Sequence, residues 1–130
     1  MANIKSEVTG QRLTDLNWLA GLVDGEGCFR VDNSPTVSID TTCRTVIEET
    51  NRIIPGNCKA LKRKTTVGRP VFRWRIHGNK AIEAAVTLAP FLKDKKEQAI
   101  LLASFCNYPP KSAMRDAIIR RLKAMKKVSL

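Results

Sequence analysis

The sequence is short of acid. Its 130 residues hold 12 Asp+Glu against 23 Lys+Arg, a formal net charge of +11 at pH 7. So large an excess on one domain's length of chain calls for a polyanionic partner, nucleic acid first and an anionic membrane surface second. No apolar run approaches the roughly 18 residues of a membrane span. The first ten residues contain no apolar stretch of the kind a signal peptide needs. Aromatic residues make up 5% of the chain, too few to favour a sheet that stacks RNA bases. Histidine occurs once, as His77, and the four cysteines (Cys28, Cys43, Cys58, Cys106) form no C-x-x-C pair. A zinc finger or ribbon is therefore excluded. The cysteines lie in apolar or strand-like stretches and read as small buried thiols. They suit an intracellular reducing compartment, whether of an organelle, a bacterium or a phage-infected cell. Apolar residues, at 43%, suffice for one core and argue against wholesale disorder.

Residues 1–12 are polar and unpatterned and read as a loose arm. Leu13, Leu16, Leu19, Ala20 and Val23 follow helical spacing, with Thr14 or Asp15 placed to cap the start. Asp24-Gly25-Glu26-Gly27 ends that helix. Alternation then predicts strands over 28–31 and 36–42, separated by the turn residues Asn33-Ser34-Pro35. A helix over 45–54 stops at Pro55-Gly56-Asn57. A hairpin follows over 58–66 and 70–76, then a helix over 79–88. A further helix runs from a cap at Asp94 to about 107, and a basic helix from 112 to about 127. Two hairpins separated by a helix predict an α+β domain, one antiparallel sheet with helices on a single face. The chain divides into an N-terminal arm (1–12), a core (13–107) and a C-terminal basic helix (108–130).

The charge is concentrated. Between Arg52 and Lys80 stand nine basic residues and no acid. Phe72, Trp74 and Ile76 alternate with Arg73 and Arg75, so one face of that strand should pack on helices and the other should be cationic. Solvated faces ordinarily mix signs; this one does not. A two-stranded ribbon fits the major groove of duplex DNA, where Arg reads guanine and Lys or Arg grips phosphate. Placing Leu61 in the core would turn Lys62 and Lys64 outward, although a register slip of one residue exchanges the faces. In the C-terminal helix, Lys111, Arg115, Arg120, Arg121, Lys123, Lys126 and Lys127 face a single acid, Asp116. A solvated face and a DNA-flank contact suit it equally.

Leu19-Ala20-Gly21-Leu22-Val23-Asp24-Gly25-Glu26-Gly27 resembles the LAGLIDADG signature of homing endonucleases. Seven of its nine positions are identical or conservative. The stretch 89–99, with Pro90, Phe91, Lys95 and Gln98, also looks like the family's segment between the fourth strand's helix and the helix that follows. The resemblance implies an αββαββα core with a four-stranded antiparallel saddle sheet. It further implies that Glu26 binds a divalent metal, helped by the Gly25 carbonyl. Mg²⁺ would be the cofactor, with Ca²⁺ or Mn²⁺ able to substitute in binding. Lys95 matches a lysine near the scissile phosphate, with an exposed surface lysine as the alternative. Cys43 aligns with a polar, water-organising position for which a thiol is a poor substitute, and Arg44 could reach the same phosphate. The implied DNA-contacting set is Arg30, Asp32, Ser38, Asp40, Thr42, Lys62, Lys64, Arg69, Arg73, Arg75 and His77. His77 suits a strand-end surface position better than a catalytic base.

Gly21 and Gly25 lie four apart on one helix face, and small residues at that spacing let two backbones approach closely. The sequence carries one such motif, so the partner helix should come from a second copy in a twofold homodimer, with Trp18, Gly21, Leu22 and Gly25 at the interface. Two Glu26 carboxylates would then meet, and hard oxygen ligands with paired negative charge suit Mg²⁺. Asp24 suits hydrogen bonding to the turn after the helix. The expectation is a homodimeric, site-specific, intron-encoded DNA endonuclease that makes a staggered double-strand cut in a long pseudo-palindromic site. The alternatives are a non-cleaving RNA maturase or DNA-binding protein on the same fold, or a half-protein that needs a different partner chain. RNA is a partner only under the maturase reading, and a membrane role ranks last.

Overall fold

The computed structural model describes residues 2–61 and 68–127. Lys62 and Lys64 lie outside the described residues. The order is α1 (Ala2–Glu26), β1 (Gly27–Val31), β2 (Pro35–Thr41), α2 (Arg44–Ile53), β3 (Asn57–Leu61), β4 (Val71–His77), α3 (Asn79–Leu88), α4 (Lys96–Ser104) and α5 (Ala113–Lys127), with 3-10 turns at Ala89–Phe91 and Phe105–Asn107. Four antiparallel strands form one sheet in the order β1-β2-β4-β3. This is the α+β architecture expected from the alternation.

Period-2 alternation decides which side of the sheet is dry. Phe29, Val37, Ile39, Trp74 and Ile76 are buried against helix residues that include Leu16, Leu19, Ala20, Val23, Ala85 and Leu88. Each fully buried side chain of this size is worth about 1.5–3 kcal/mol. Trp74 also satisfies its indole by donating from Nε1 to the Ile54 carbonyl at 2.9 Å. Helix α5 closes the core from the chain's end through Ile118 and Leu122.

Several local expectations change. Helix α1 starts at Ala2 rather than near Leu13, so the stretch read as a loose arm is helical. Thr14 and Asp15 are consequently mid-helix, and neither caps it. Thr14 Oγ1 donates to the Gly10 carbonyl, and Asp15 accepts from Arg52 at 2.9 Å. Helix α1 also continues to Glu26, and the close approach that follows explains Gly27. A Cβ there would lie 2.7–2.9 Å from Val23 atoms, backbone included. Leu61 pairs with Val71, and this register places it on the face of Lys59 and Arg73, not in the core. Leu61 is thus not the core residue expected to turn Lys62 and Lys64 outward. The cysteines are not buried: Cys43, Cys58 and Cys106 are exposed and Cys28 is half-buried. Cys43 precedes a helix, Cys58 lies on the edge strand β3, and Cys106 lies in the short 3-10 turn that follows α4, so none has a neighbour on every side.

Candidate nucleic-acid interface and acidic helix terminus

The sheet face opposite the helices is built by the same alternation. Antiparallel register sets Cys28 beside Ser38, Arg30 beside Thr36, Ser38 beside Arg75, Asp40 beside Arg73, and both Arg73 and Arg75 beside the edge-strand residues Lys59 and Asn57. Arg73 forks onto Asp40, with Nε to Oδ1 at 2.7 Å and an Nη to Oδ2 at 2.9 Å. Arg30 donates from Nε to Asp32 at 2.8 Å and from an Nη to Ser38 Oγ at 2.9 Å. Hydrogen bonds from these arginines hold the Asp40 and Asp32 carboxyls below the usual carboxylate range. His77 ends β4 and is exposed, while Thr42 and Arg69 are exposed beyond the strand ends. The face thus gathers Arg30, Asp32, Ser38, Asp40, Arg73, Arg75 and His77. Sequence reading did not find that two of its acids pin two of its arginines. For Asp40 and Arg73, facing positions on strands 33 residues apart carry that information, and only the register reveals them; Asp32 and Arg30 stand two residues apart.

At one end of the sheet lies the terminus of α1. Asp24 accepts three backbone N–H groups: Lys93 at 2.9 Å on Oδ2, with Asp94 at 3.2 Å and Lys95 at 3.0 Å on Oδ1. The expected cap of α4 by Asp94 is not formed: Lys95 stands at the N-cap without a side-chain cap bond, and Asp24, some seventy residues earlier, holds the segment that leads into the helix. Lys95 returns to the same place. Its Nζ donates to the carbonyls of Val23 at 3.2 Å and Gly27 at 2.8 Å. A cation at a helix C-terminus satisfies carbonyls that have no intrahelical partner and meets the negative end of the dipole. Lys95 is thus half-buried and engaged, not the freely exposed lysine of the alternative reading, and it sits beside the last turn that carries Glu26. Gln98 is buried. Beside Gly25 opens a cleft of about 760 Å³, whose walls include Asp24, Cys28, Lys95, Arg121 and Lys126.

Glu26 itself is exposed and has no hydrogen-bond or ion-pair partner among the described residues. No cluster of three His, Cys, Asp or Glu side chains gathers among the described residues. Asp24 spends both oxygens on backbone donors. At the helix end Glu26 therefore offers a hard cation its carboxylate, together with backbone carbonyls. These are oxygen donors of the type Mg²⁺ takes, and they make up part of a site. Strand pairing places the end of β2, and with it Cys43 and Arg44, at this same end of the sheet. Both are exposed, and the Cys43 N–H donates to Thr41 Oγ1 at 3.2 Å.

Opposite its buried stripe, α1 presents Thr14, Trp18, Gly21 and Gly25. Trp18 is 41% exposed, and a Cβ on either glycine would meet nothing within 4 Å. Leu22 is half-buried at the margin.

Residues 3–55, which contain this helix and its terminus, match a family model described as "Homing endonuclease". The chain is also 30% identical over 80 residues to the "Probable intron-encoded endonuclease aI2" of Debaryomyces hansenii. Over this stretch the chain is similar to homing endonucleases. The matched stretch is 62% of the chain and 12% of that yeast protein, so the chain spans about an eighth of the curated relative's length. Two solved homing endonucleases share the fold. I-CvuI, in complex with its target in the presence of Ca, superposes with a TM-score of 0.70 at 17% identity, over 88% of this chain and 83% of that one. The archaeal intron-encoded homing endonuclease I-Vdi141I, complexed with DNA, gives 0.70 at 16% identity over 88% and 86%. A homing endonuclease fold thus carries the paired-arginine face, with the motif helix ending in an unpartnered acid at one end of the sheet. Among the described residues no helix is long and apolar enough to cross a membrane.

Proposed function

We propose that this chain is a homodimeric, site-specific DNA endonuclease that uses a divalent cation, Mg²⁺ by preference. The observation that carries the reading is the exposed small-residue face of α1, ending in the unpartnered Glu26. Two copies packed through Trp18, Gly21, Leu22 and Gly25 would bury that face about a twofold axis. Each helix would then deliver its Glu26 beside its twin, completing with the Gly25 carbonyl an oxygen donor set that a single chain lacks. Divalent cations held there would supply an activated water and neutralise charge on the leaving oxygen. The protein's own residues hold the geometry. Asp24 fixes the 93–95 backbone, and Lys95 holds the end of α1 while keeping positive charge beside the reacting phosphate.

The basic sheet face binds the duplex, one half-site to each subunit, so the target is long and pseudo-palindromic. A staggered double-strand cut at the dyad, as the family resemblance implies, and an intron-encoded origin belong to the same proposal. The structures of related endonucleases bound to DNA support it, as does the absence of acid between Arg52 and Lys80. One observation favours a second reading. Cys43 puts an exposed thiol at the place expected to order water, which suits a non-cleaving DNA-binding protein or RNA maturase on the same fold.

A randomised-duplex selection separates the two, run in Mg²⁺ and in Ca²⁺ on the full chain and on Glu26→Gln. The endonuclease reading expects sequence-specific binding in both ions, with cutting in Mg²⁺ that the substitution abolishes. Specific binding without cutting by either protein supports the second reading.

A further inference from the structure

We propose that Lys95 is a positioning residue for the metal-holding end of α1: its ammonium fixes the turn from which the Gly25 carbonyl and the Glu26 carboxylate project, and so raises the affinity for the cation. This rests on the endonuclease reading above and deepens it, giving the lysine a task at the helix end that is separate from any contact with the phosphate.

An ammonium carries three N–H donors and no acceptor. Lys95 Nζ spends two of them on one helix end, 2.8 Å from the Gly27 carbonyl oxygen and 3.2 Å from that of Val23. Gly25 and Glu26 lie between those two carbonyls in the chain. One nitrogen thus bridges both sides of the stretch that would hold the ion. The main chain of Lys95 is tied to the same helix, since its N–H donates to Asp24 Oδ1 at 3.0 Å. Lys95 is therefore anchored on α1 at its backbone and again at the tip of its side chain. Swinging Nζ away would take this donor from both carbonyls, and helix-end carbonyls without a partner are costly when water is partly excluded. The remaining N–H is left for the cleft that Lys95 lines, so a phosphate contact adds to the positioning and does not replace it.

Charge and position predict opposite signs for the loss of this side chain. As a charge alone, an ammonium beside a cation site repels the ion, so its removal should tighten metal binding. As a positioning group it keeps the oxygen donors in place, and residues that orient metal ligands are worth about tenfold to a hundredfold in metal affinity. A lysine that acted on the phosphate alone would change the rate of cutting and leave metal affinity unchanged or higher.

The experiment titrates Ca²⁺ by calorimetry into the full-length chain on a duplex selected in Ca²⁺, the complex having first been stripped of the ion with a chelator. Lys95→Met removes the N–H donors and the charge and keeps most of the aliphatic stem. Its Ca²⁺ affinity should fall about tenfold to a hundredfold, although a positive charge has been taken away. In cutting assays the Mg²⁺ concentration at half-maximal rate should rise in step, with most of the maximal rate recovered at saturation. Lys95→Gln keeps an amide donor on a neutral side chain, stands in if Lys95→Met does not fold, and should also bind Ca²⁺ more weakly than wild type. Urea midpoints restrict the comparison to folded protein. An affinity that rises or stays unchanged in these variants, or a rate lost equally at every Mg²⁺ concentration, overturns the assignment. If wild type on duplex neither takes up Ca²⁺ nor cuts in Mg²⁺, the endonuclease reading itself fails and takes this inference with it; a wild type that does both, with variants of unchanged affinity, sinks only this assignment.

Discussion

Asp24 joins the motif helix to the segment that starts α4, and its replacement gives the most discriminating stability test. Both carboxylate oxygens are used, by three backbone N–H groups of residues 93–95. In Asp24→Asn the oxygen shared by Asp94 and Lys95 can be kept. The amide nitrogen then faces the Lys93 N–H, donor against donor, and the charge assistance to all three bonds is gone. A hydrogen bond to a charged acceptor contributes about 1.5–3 kcal/mol when fully buried. Here two of the three bonds are exposed and water can replace part of them. We therefore expect a loss of about 1 kcal/mol for Asp24→Asn and about 2 kcal/mol for Asp24→Ala. For a 130-residue chain, each kcal/mol lowers the melting temperature by about 4 °C. Asp94→Ala is the control, because Asp94 is the cap the sequence suggested and the structure does not use. It should shift the midpoint by less than about 0.5 kcal/mol. Calorimetry or urea titration of the three variants reads the result. Equal midpoints for Asp24→Ala and wild type, or a larger loss for Asp94→Ala, would refute the reasoning.

Glu26→Gln removes an exposed charge without a partner and should change stability by no more than about 0.5 kcal/mol while abolishing Mg²⁺-dependent cutting; a large drop in the urea midpoint would show instead that Glu26 is structural. Leu122→Ala empties a position 1% exposed and should cost about 2–4 kcal/mol. A cost under about 1 kcal/mol would place α5 outside the cooperative core. The Asp40 pair gives a pH signature. Its pKa is lowered in the fold, first by hydrogen bonds from Arg73, so its contribution is present above the unfolded value near ~3.9 and disappears as pH falls through the folded value. With both side chains partly exposed, the pair contributes at most about 1 kcal/mol. The stability gap between wild type and Asp40→Asn should therefore close on acidification below about pH 4, and a gap that widens there would contradict the assigned pairing.

Legibility of the sequence followed the range of the interactions. Strands β2 and β4 were readable to within a residue because β-branched and aromatic residues alternate strictly with polar ones, and α3 because its apolar positions repeat helically between Gly78 and Pro90. The first turns of α1 were not readable, since they carry no apolar periodicity to mark a helix. The glycines of the motif misled in the other direction: Gly25 lies inside the helix, and Gly27 is needed for close approach to Val23. The small-residue face and the terminal Glu26 were legible, being local to one helix. The Asp24 bonds, the Lys95 cap and the Asp40–Arg73 fork join residues that only folding brings together. Cysteine composition was a poor guide to burial, because Cys43 stands where a helix begins, Cys58 on an edge strand and Cys106 in the turn that follows α4.

The central claim is that two identical chains meet through the open face of α1 and so bring their Glu26 side chains together. Sedimentation of the full-length protein, free and on duplex, tests it most directly when paired with Gly21→Arg. The account predicts twice the chain mass for wild type and a single chain mass for the variant, whose fold should survive because nothing lies within 4 Å of a Cβ at that glycine. A wild-type protein that stays monomeric even on duplex, or a Gly21→Arg variant that dimerises as well as wild type, would contradict it.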